Sequence, residues 1–310
     1  MGERKRMGKT VGLVLLLGVA VFCYEIVMVL VGYTADFLAQ VLPKEGIAWS
    51  QQYYLWDTVG CAWLLGIYGL WVFCLKEQRR SKEQSGQESQ MKKAEGKDVK
   101  EPSRWTKQTE DERVKGQPVW KRALEVAVIT FGLGGISSLW LNFAEEVLYK
   151  VPFIRDSMER FQTVGKEQLG EPYIWVFLSV VLVGPIVEEL LFRGIVYQYL
   201  AEIREGWFAV IGSGLLFGLW HQEPVQVVYT MIMGVGIAIV YQKTGSLRYV
   251  IGLHILNNFL SALPPFLETE TIINGISLMN YVMILPGLYL LGRFADKRQK
   301  PEVPAESGKS

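Results

Sequence analysis

Apolar blocks of roughly 15 to 25 residues alternate with charged connectors along the chain. That is the pattern of a polytopic membrane protein, in which a straight helix needs about 20 apolar residues to cross the hydrocarbon. Eight spans can be drawn, over residues 11–32, 54–75, 122–143, 173–200, 208–222, 225–242, 249–264 and 278–292. The fifth and seventh are short for a bilayer. The expected fold class is all-α, a transmembrane helical bundle of about eight spans. The first block, VGLVLLLGVAVFCYEIVMVLVGY after the basic MGERKRMGK, is far longer than the ~7–15-residue apolar core of a signal peptide. No small-x-small cleavage site follows it, so it reads as a retained helix.

The polar stretch between the second and third spans, KEQRRSKEQSGQESQMKKAEGKDVKEPSRWTKQTEDERVKGQ, has too few apolar residues to bury a core and predicts a flexible linker. It divides the chain into two N-terminal helices (1–75), a charged linker (76–121), a six-helix unit (122–292) and a polar tail (293–310). Net charge is +1, and no basic strip is interleaved with aromatics, which argues against a nucleic-acid partner. Cys23, Cys61 and Cys74 lie in apolar segments without CxxC spacing and read as packing residues. If the N-terminus is cytoplasmic and eight spans alternate, most of the lysines and arginines fall in inner connectors. Both termini then face the cytoplasm.

The chemistry concentrates in 187-VEELLFRGIVYQYL-200. A carboxylate in the middle of a bilayer helix costs a few kcal/mol unless it faces the bundle interior and finds a partner. Glu189 and Arg193 are four residues apart and share a helical face. Glu188 lies about 100° away around the helix and cannot use that arginine as easily. The spacing therefore predicts that Arg193 holds Glu189 while Glu188 points into a cavity. Gly184-Pro185, one turn earlier, predicts a kink. A structural salt bridge would explain one Glu–Arg pair, but a second glutamate raises the cost of both. The two histidines of the chain lie in later apolar spans. His221 closes 217-FGLWHQ-222 one turn after Phe217, and His254 opens 254-HILNN-258 one turn before Asn258. Glu25, Asp57 and Glu125 also fall in or near apolar runs and read as interfacial or packing residues.

EExxxR at 188–193, FxxxH at 217–221 and HxxxN at 254–258, in that order on successive hydrophobic segments, resemble the CPBP family. This comprises the type II CAAX prenyl endopeptidases, or Rce1-like intramembrane proteases, and the Abi bacteriocin-processing and immunity proteins. The resemblance covers roughly residues 122–292 and implies peptide-bond hydrolysis within the membrane. It implies that Glu188 is the general base that activates water and that His221 helps to hold that water or a metal. His254 and Asn258 would complete the polar cluster and stabilise the oxyanion, with Glu189 and Arg193 in support. Zinc held by Glu188, His221 and His254 would make a His2Glu set, and a metal-free glutamate mechanism stays open beside it. The implied partners are the lipid bilayer and a membrane-associated substrate: a CAAX-type protein, a bacteriocin precursor or a leader peptide. The implied location is a bacterial plasma membrane. Two other classes compete: a non-catalytic membrane scaffold or immunity protein of the same fold, and a transporter using the same buried groups. No inverted repeat encourages the transporter.

Overall fold

The structure, a computed structural model, describes residues 2–41, 52–93 and 118–295. Among these residues the regular elements are helices: α1 Gly2–Val41, α2 Tyr53–Lys93, α3 Val119–Glu146, α4 Pro152–Gly170, α5 Tyr173–Ile203, α6 Trp207–Trp220, α7 Pro224–Thr244, α8 Leu247–Ser261, α9 Glu270–Val282 and α10 Ile284–Ala295. A short 3-10 turn at Pro265–Leu267 precedes α9. The all-α bundle predicted by the hydropathy pattern is what forms.

Five helices, α1, α2, α3, α5 and α7, are long and apolar enough to cross a membrane, and α9 with α10 would make a sixth span, bent by 49°. The chain is an integral membrane protein. The eight expected spans become five or six because α6 and α8 have 14 and 15 residues. At 1.5 Å per residue these cover little more than 20 Å of a hydrocarbon core about 30 Å thick. Both carry site residues.

The helix α2 continues to Lys93, so the first part of the stretch expected to be a flexible linker is helical. Its Lys, Glu, Gln and Arg residues cannot build a core, yet they are good intrinsic helix formers, and a helix already nucleated in the apolar span extends through them. The rest of that stretch, residues 94–117, and the tail beyond residue 295 lie outside the described residues.

The N-terminal pair is not a detached preface. Tyr68 of α2 donates to the Ala20 carbonyl of α1 at 3.0 Å, and α2 packs along α5. Near the ends of these helices Arg79 donates to Gln198 and meets Glu202 at 3.3 Å, while Gln198 donates to the Tyr241 hydroxyl at 2.7 Å. Between α6 and α7 the backbones nearly touch. A Cβ on Gly214 would come within 2.6 Å of the Val235 backbone nitrogen, and one on Gly234 within 2.9 Å of the Gly214 carbonyl oxygen. Only small residues permit such an approach, and it sets the Gly234 carbonyl where the site uses it.

The turn from α6 to α7 is sharp. Gln222 takes φ 58°, a conformation disfavoured for a residue with a side chain. Pro224 then opens α7 in the first turn, where its missing N–H costs nothing. Helix α4 holds this turn from outside: Ser157 accepts from the Val225 N–H at 2.9 Å, and Arg160 grips both carboxylate oxygens of Glu223 at 3.0 Å each. Trp140 of α3 donates to the Val225 carbonyl at 2.9 Å.

Candidate active site

Helix α5 presents both glutamates, and it does so between two widened turns. Residues Phe177–Val183 and Leu190–Val196 form π-helix, with α-helix over Gly184–Glu189 between them. Such widened turns frequently mark functional sites. Here they flank Gly184-Pro185, where the sequence predicts a kink. Pro185 lacks an N–H and crowds the preceding turn, and a turn already opened to the π pattern absorbs it. The helix then runs on through Ile203 as one span.

Glu189 and Arg193 are both fully buried, with 0% of either side chain exposed. Arg193 Nη1 donates to Glu189 Oε1 at 2.8 Å, and Nη2 donates to the Gly234 carbonyl of α7 at 2.8 Å. The guanidinium carbon sits 4.8 Å from the centroid of the Phe217 ring on α6, close enough for a cation–π contact. The pairing expected from the four-residue spacing is present, and Arg193 ties α5 to both α6 and α7.

His254, from α8, closes the cluster. Its Nδ1 lies 2.9 Å from Glu189 Oε1 and its Nε2 lies 3.5 Å from Glu188 Oε2. An ionised carboxylate only accepts, so Nδ1 carries a proton and donates to Glu189. In neutral His254 the other nitrogen then turns its lone pair toward Glu188. That separation is long for a hydrogen bond, and contacts of this kind tighten when a substrate is bound. The Glu188 side chain is 27% exposed, while its neighbour is sealed. One carboxylate is neutralised inside the protein and the other stays partly open.

His221 stands at the end of α6. Its Nδ1 lies 2.9 Å from the Phe217 carbonyl; a carbonyl also only accepts, so this nitrogen donates and Nε2 is left with its lone pair. Both imidazoles pack edge-on against Phe217, with centroids 5.0 Å away for His221 and 5.6 Å for His254. Phe217 is thus the hub that places Arg193, His221 and His254 around one ring. Asn258 donates to the Val180 carbonyl in the first π segment at 2.9 Å and accepts from Asn257 at 3.2 Å.

The expected metal set is not assembled. Each histidine has the protonated Nδ1 and free Nε2 that a metal ligand usually shows. Among the described residues, however, no three His, Cys, Asp or Glu side chains come together closely enough to hold a metal ion. His221 is fastened to its own helix through Phe217, and Glu188 and His254 form a pair without it.

Residues 170–260 match the family model of the type II CAAX prenyl endopeptidases, Rce1-like. That stretch is similar to the Rce1-like family. It takes in all three motifs and α5 to α8, and it leaves out α1 to α3. The chain is also similar to a Bacillus subtilis protein named "Putative membrane peptidase YdiL", with 29% identity over 169 residues, covering 50% of this chain and 67% of that protein. No solved structure matches. At family level these likenesses support an intramembrane protease.

One residue read as mere packing takes a different place. Asp57, on α2 and outside the Rce1-like core, accepts a hydrogen bond from Ser179 in the first π segment of α5. Cys61 Sγ approaches the same carboxylate at 4.0 Å. The signal was in the sequence: Asp57 is an acid inside an apolar span, as Glu188 is, and the same cost argument applies to it. Glu125, by contrast, accepts from the Tyr249 hydroxyl at 3.1 Å as a packing residue would, and Glu25 is exposed.

Proposed function

We propose that the chain is an intramembrane endopeptidase that hydrolyses a peptide bond of a membrane-associated substrate with water activated by Glu188. The observation that carries the reading is the split carboxylate pair, with Glu189 locked to Arg193 and His254 while Glu188 stays partly exposed and faces the other nitrogen of His254. A salt bridge kept for stability alone has no use for the second, unneutralised glutamate.

Glu188 takes a proton from a water as its oxygen bonds to the carbonyl carbon of the substrate. The carbonyl oxygen becomes an oxyanion, and the C–N bond then breaks as the proton on Glu188 passes to the leaving nitrogen. The products are a carboxylic acid and an amine, which settle as carboxylate and ammonium by transfer of the remaining water proton, and Glu188 is regenerated as the carboxylate. General-base catalysis of this kind is worth about 10²–10⁴-fold. Once Glu188 holds the proton, His254 shares it by accepting a hydrogen bond at Nε2. His221, with Nε2 free, accepts a hydrogen bond from the attacking water. Asn258 uses one amide hydrogen on Val180 and has the second for the oxyanion. It adds no charge to the bilayer.

Candidate substrates are a CAAX-type protein, a bacteriocin precursor or a leader peptide, and the cell to examine is a bacterium carrying the protein in its plasma membrane. The test compares membrane-associated and secreted peptides from cells with wild type or Glu188→Ala at equal protein levels. A precursor that accumulates only in the mutant supports the reading and identifies the substrate. An unchanged peptide pool with an intact phenotype would favour a non-catalytic scaffold instead.

A further inference from the structure

The first π segment of α5 is held from two sides. From α8, Asn258 donates to the Val180 carbonyl. From α2, the adjacent residue Ser179 finds its acceptor in Asp57, and Ser179 is 2% exposed. Thr58, next to Asp57, reaches toward the Trp175 carbonyl at 3.4 Å while bonding its own helix at 2.7 Å. A π turn holds one more residue than an α turn, so its loss shifts the phase of everything after it by one position, about 100°. A shift of that size carries Glu188 off the face it now presents. The state of this turn therefore decides whether Glu188 meets His254 from the open side.

We infer that Asp57 is a positioning residue for Glu188: by holding Ser179 from α2 it keeps the widened turn of α5 in place, and that turn aims Glu188. The inference deepens the proposed reading and rests on Glu188 as the base. It gives the N-terminal helices, which lie outside the Rce1-like core, a part in the site. Asp57 also lies within electrostatic range of Glu188, as do Tyr24 of α1 and Cys61 of α2.

The chain's two histidines supply a readout that needs no substrate. Protein labelled with 15N in the imidazole rings, in detergent micelles, gives signals from His221 and His254 alone, assigned with His221→Gln. Asp57→Ala and Ser179→Ala should each move the His254 signals while leaving those of His221 in place. Asp57→Asn keeps an acceptor for Ser179 and should restore them. With the precursor found above as probe, Asp57→Ala should lower kcat by about 10²-fold with KM unchanged, as a misplaced catalytic group does. The double variant Asp57→Ala/Ser179→Ala should be no worse than either single one. His254 signals unmoved in folded Asp57→Ala, or in Ser179→Ala should Asp57→Ala not fold, would overturn the inference. Wild type that cleaves nothing would defeat the protease reading, and the imidazole signals would still decide on the clamp.

Discussion

Neutralising Glu189 should unlock the cluster more than any other change of equal size. Glu189→Gln keeps the volume and an oxygen that can accept from Arg193, but it leaves a fully buried guanidinium without a counter-charge. Breaking a buried ion pair from one side costs ~3–5 kcal/mol. Arg193 retains the Gly234 carbonyl and the Phe217 face, so the lower end, about 3 kcal/mol, is expected. That is roughly a hundredfold in the folded ratio. Arg193→Met should cost a similar amount, because Glu189 then keeps only His254 and the Gly234 carbonyl loses its donor. The double variant Glu189→Gln/Arg193→Met removes both charges together. It should lose no more than the worse single variant, a coupling of at least about 2 kcal/mol. The assay is reversible unfolding by SDS in mixed micelles, followed by tryptophan fluorescence at several protein concentrations. A double variant that loses the sum of the two singles would refute the reasoning, since the two charges would then be acting independently.

Glu223 supplies a pH test outside the spans. Partial burial pushes its carboxyl upward, but hydrogen bonds from Arg160 and Ser157 and the guanidinium charge outweigh this and hold it below its ordinary value of 4.5. A carboxyl lowered on folding stabilises above its ordinary pKa and loses that contribution as pH falls through the folded value. Amide protection factors in α4 and in the turn after His221 should therefore fall below about pH 4.5, and Glu223→Gln should show the lower protection already at neutral pH. At the seam of α6 and α7, Gly214→Val drives a side chain into the Val235 backbone and should cost about 1–3 kcal/mol, read in the same SDS titration; a neutral outcome would mean that the helices are not in contact there. As no metal site is assembled among the described residues, dialysis against a zinc chelator should leave cleavage of the identified precursor unchanged. Loss on chelation, with recovery on adding zinc, would refute that.

Much of the fold was legible because lipid punishes exposed backbone and charge so heavily. The long spans and the Glu189–Arg193 pairing both follow from that cost and from the four-residue helical repeat. The short helices were harder. Hydropathy records how apolar a block is, but not whether neighbouring helices cover it, so α6 and α8 read as spans. Helix α2 outran its apolar part because propensity continued where burial stopped. The π turns beside Pro185 were illegible, since a proline predicts a kink and a widened turn equally well until the neighbours are known. For Asp57 the buried acid was legible but not its partner, since Ser179 lies 122 residues away. No spacing rule joins two helices that far apart. The hub role of Phe217 was half visible, as the residue one turn before His221, but its contact with Arg193 depends on how α6 meets α5.

The most direct test of the central claim is single-turnover cleavage of the accumulated precursor by the purified protein in proteoliposomes, run in 18O-labelled water with wild type and Glu188→Gln. The account predicts one 18O in the new carboxylate and a loss of about 10²–10⁴-fold in rate for Glu188→Gln, with the variant as well folded as wild type. Cleavage by Glu188→Gln at the wild-type rate would contradict it, because no other carboxylate in the cluster is open to water in the way that Glu188 is.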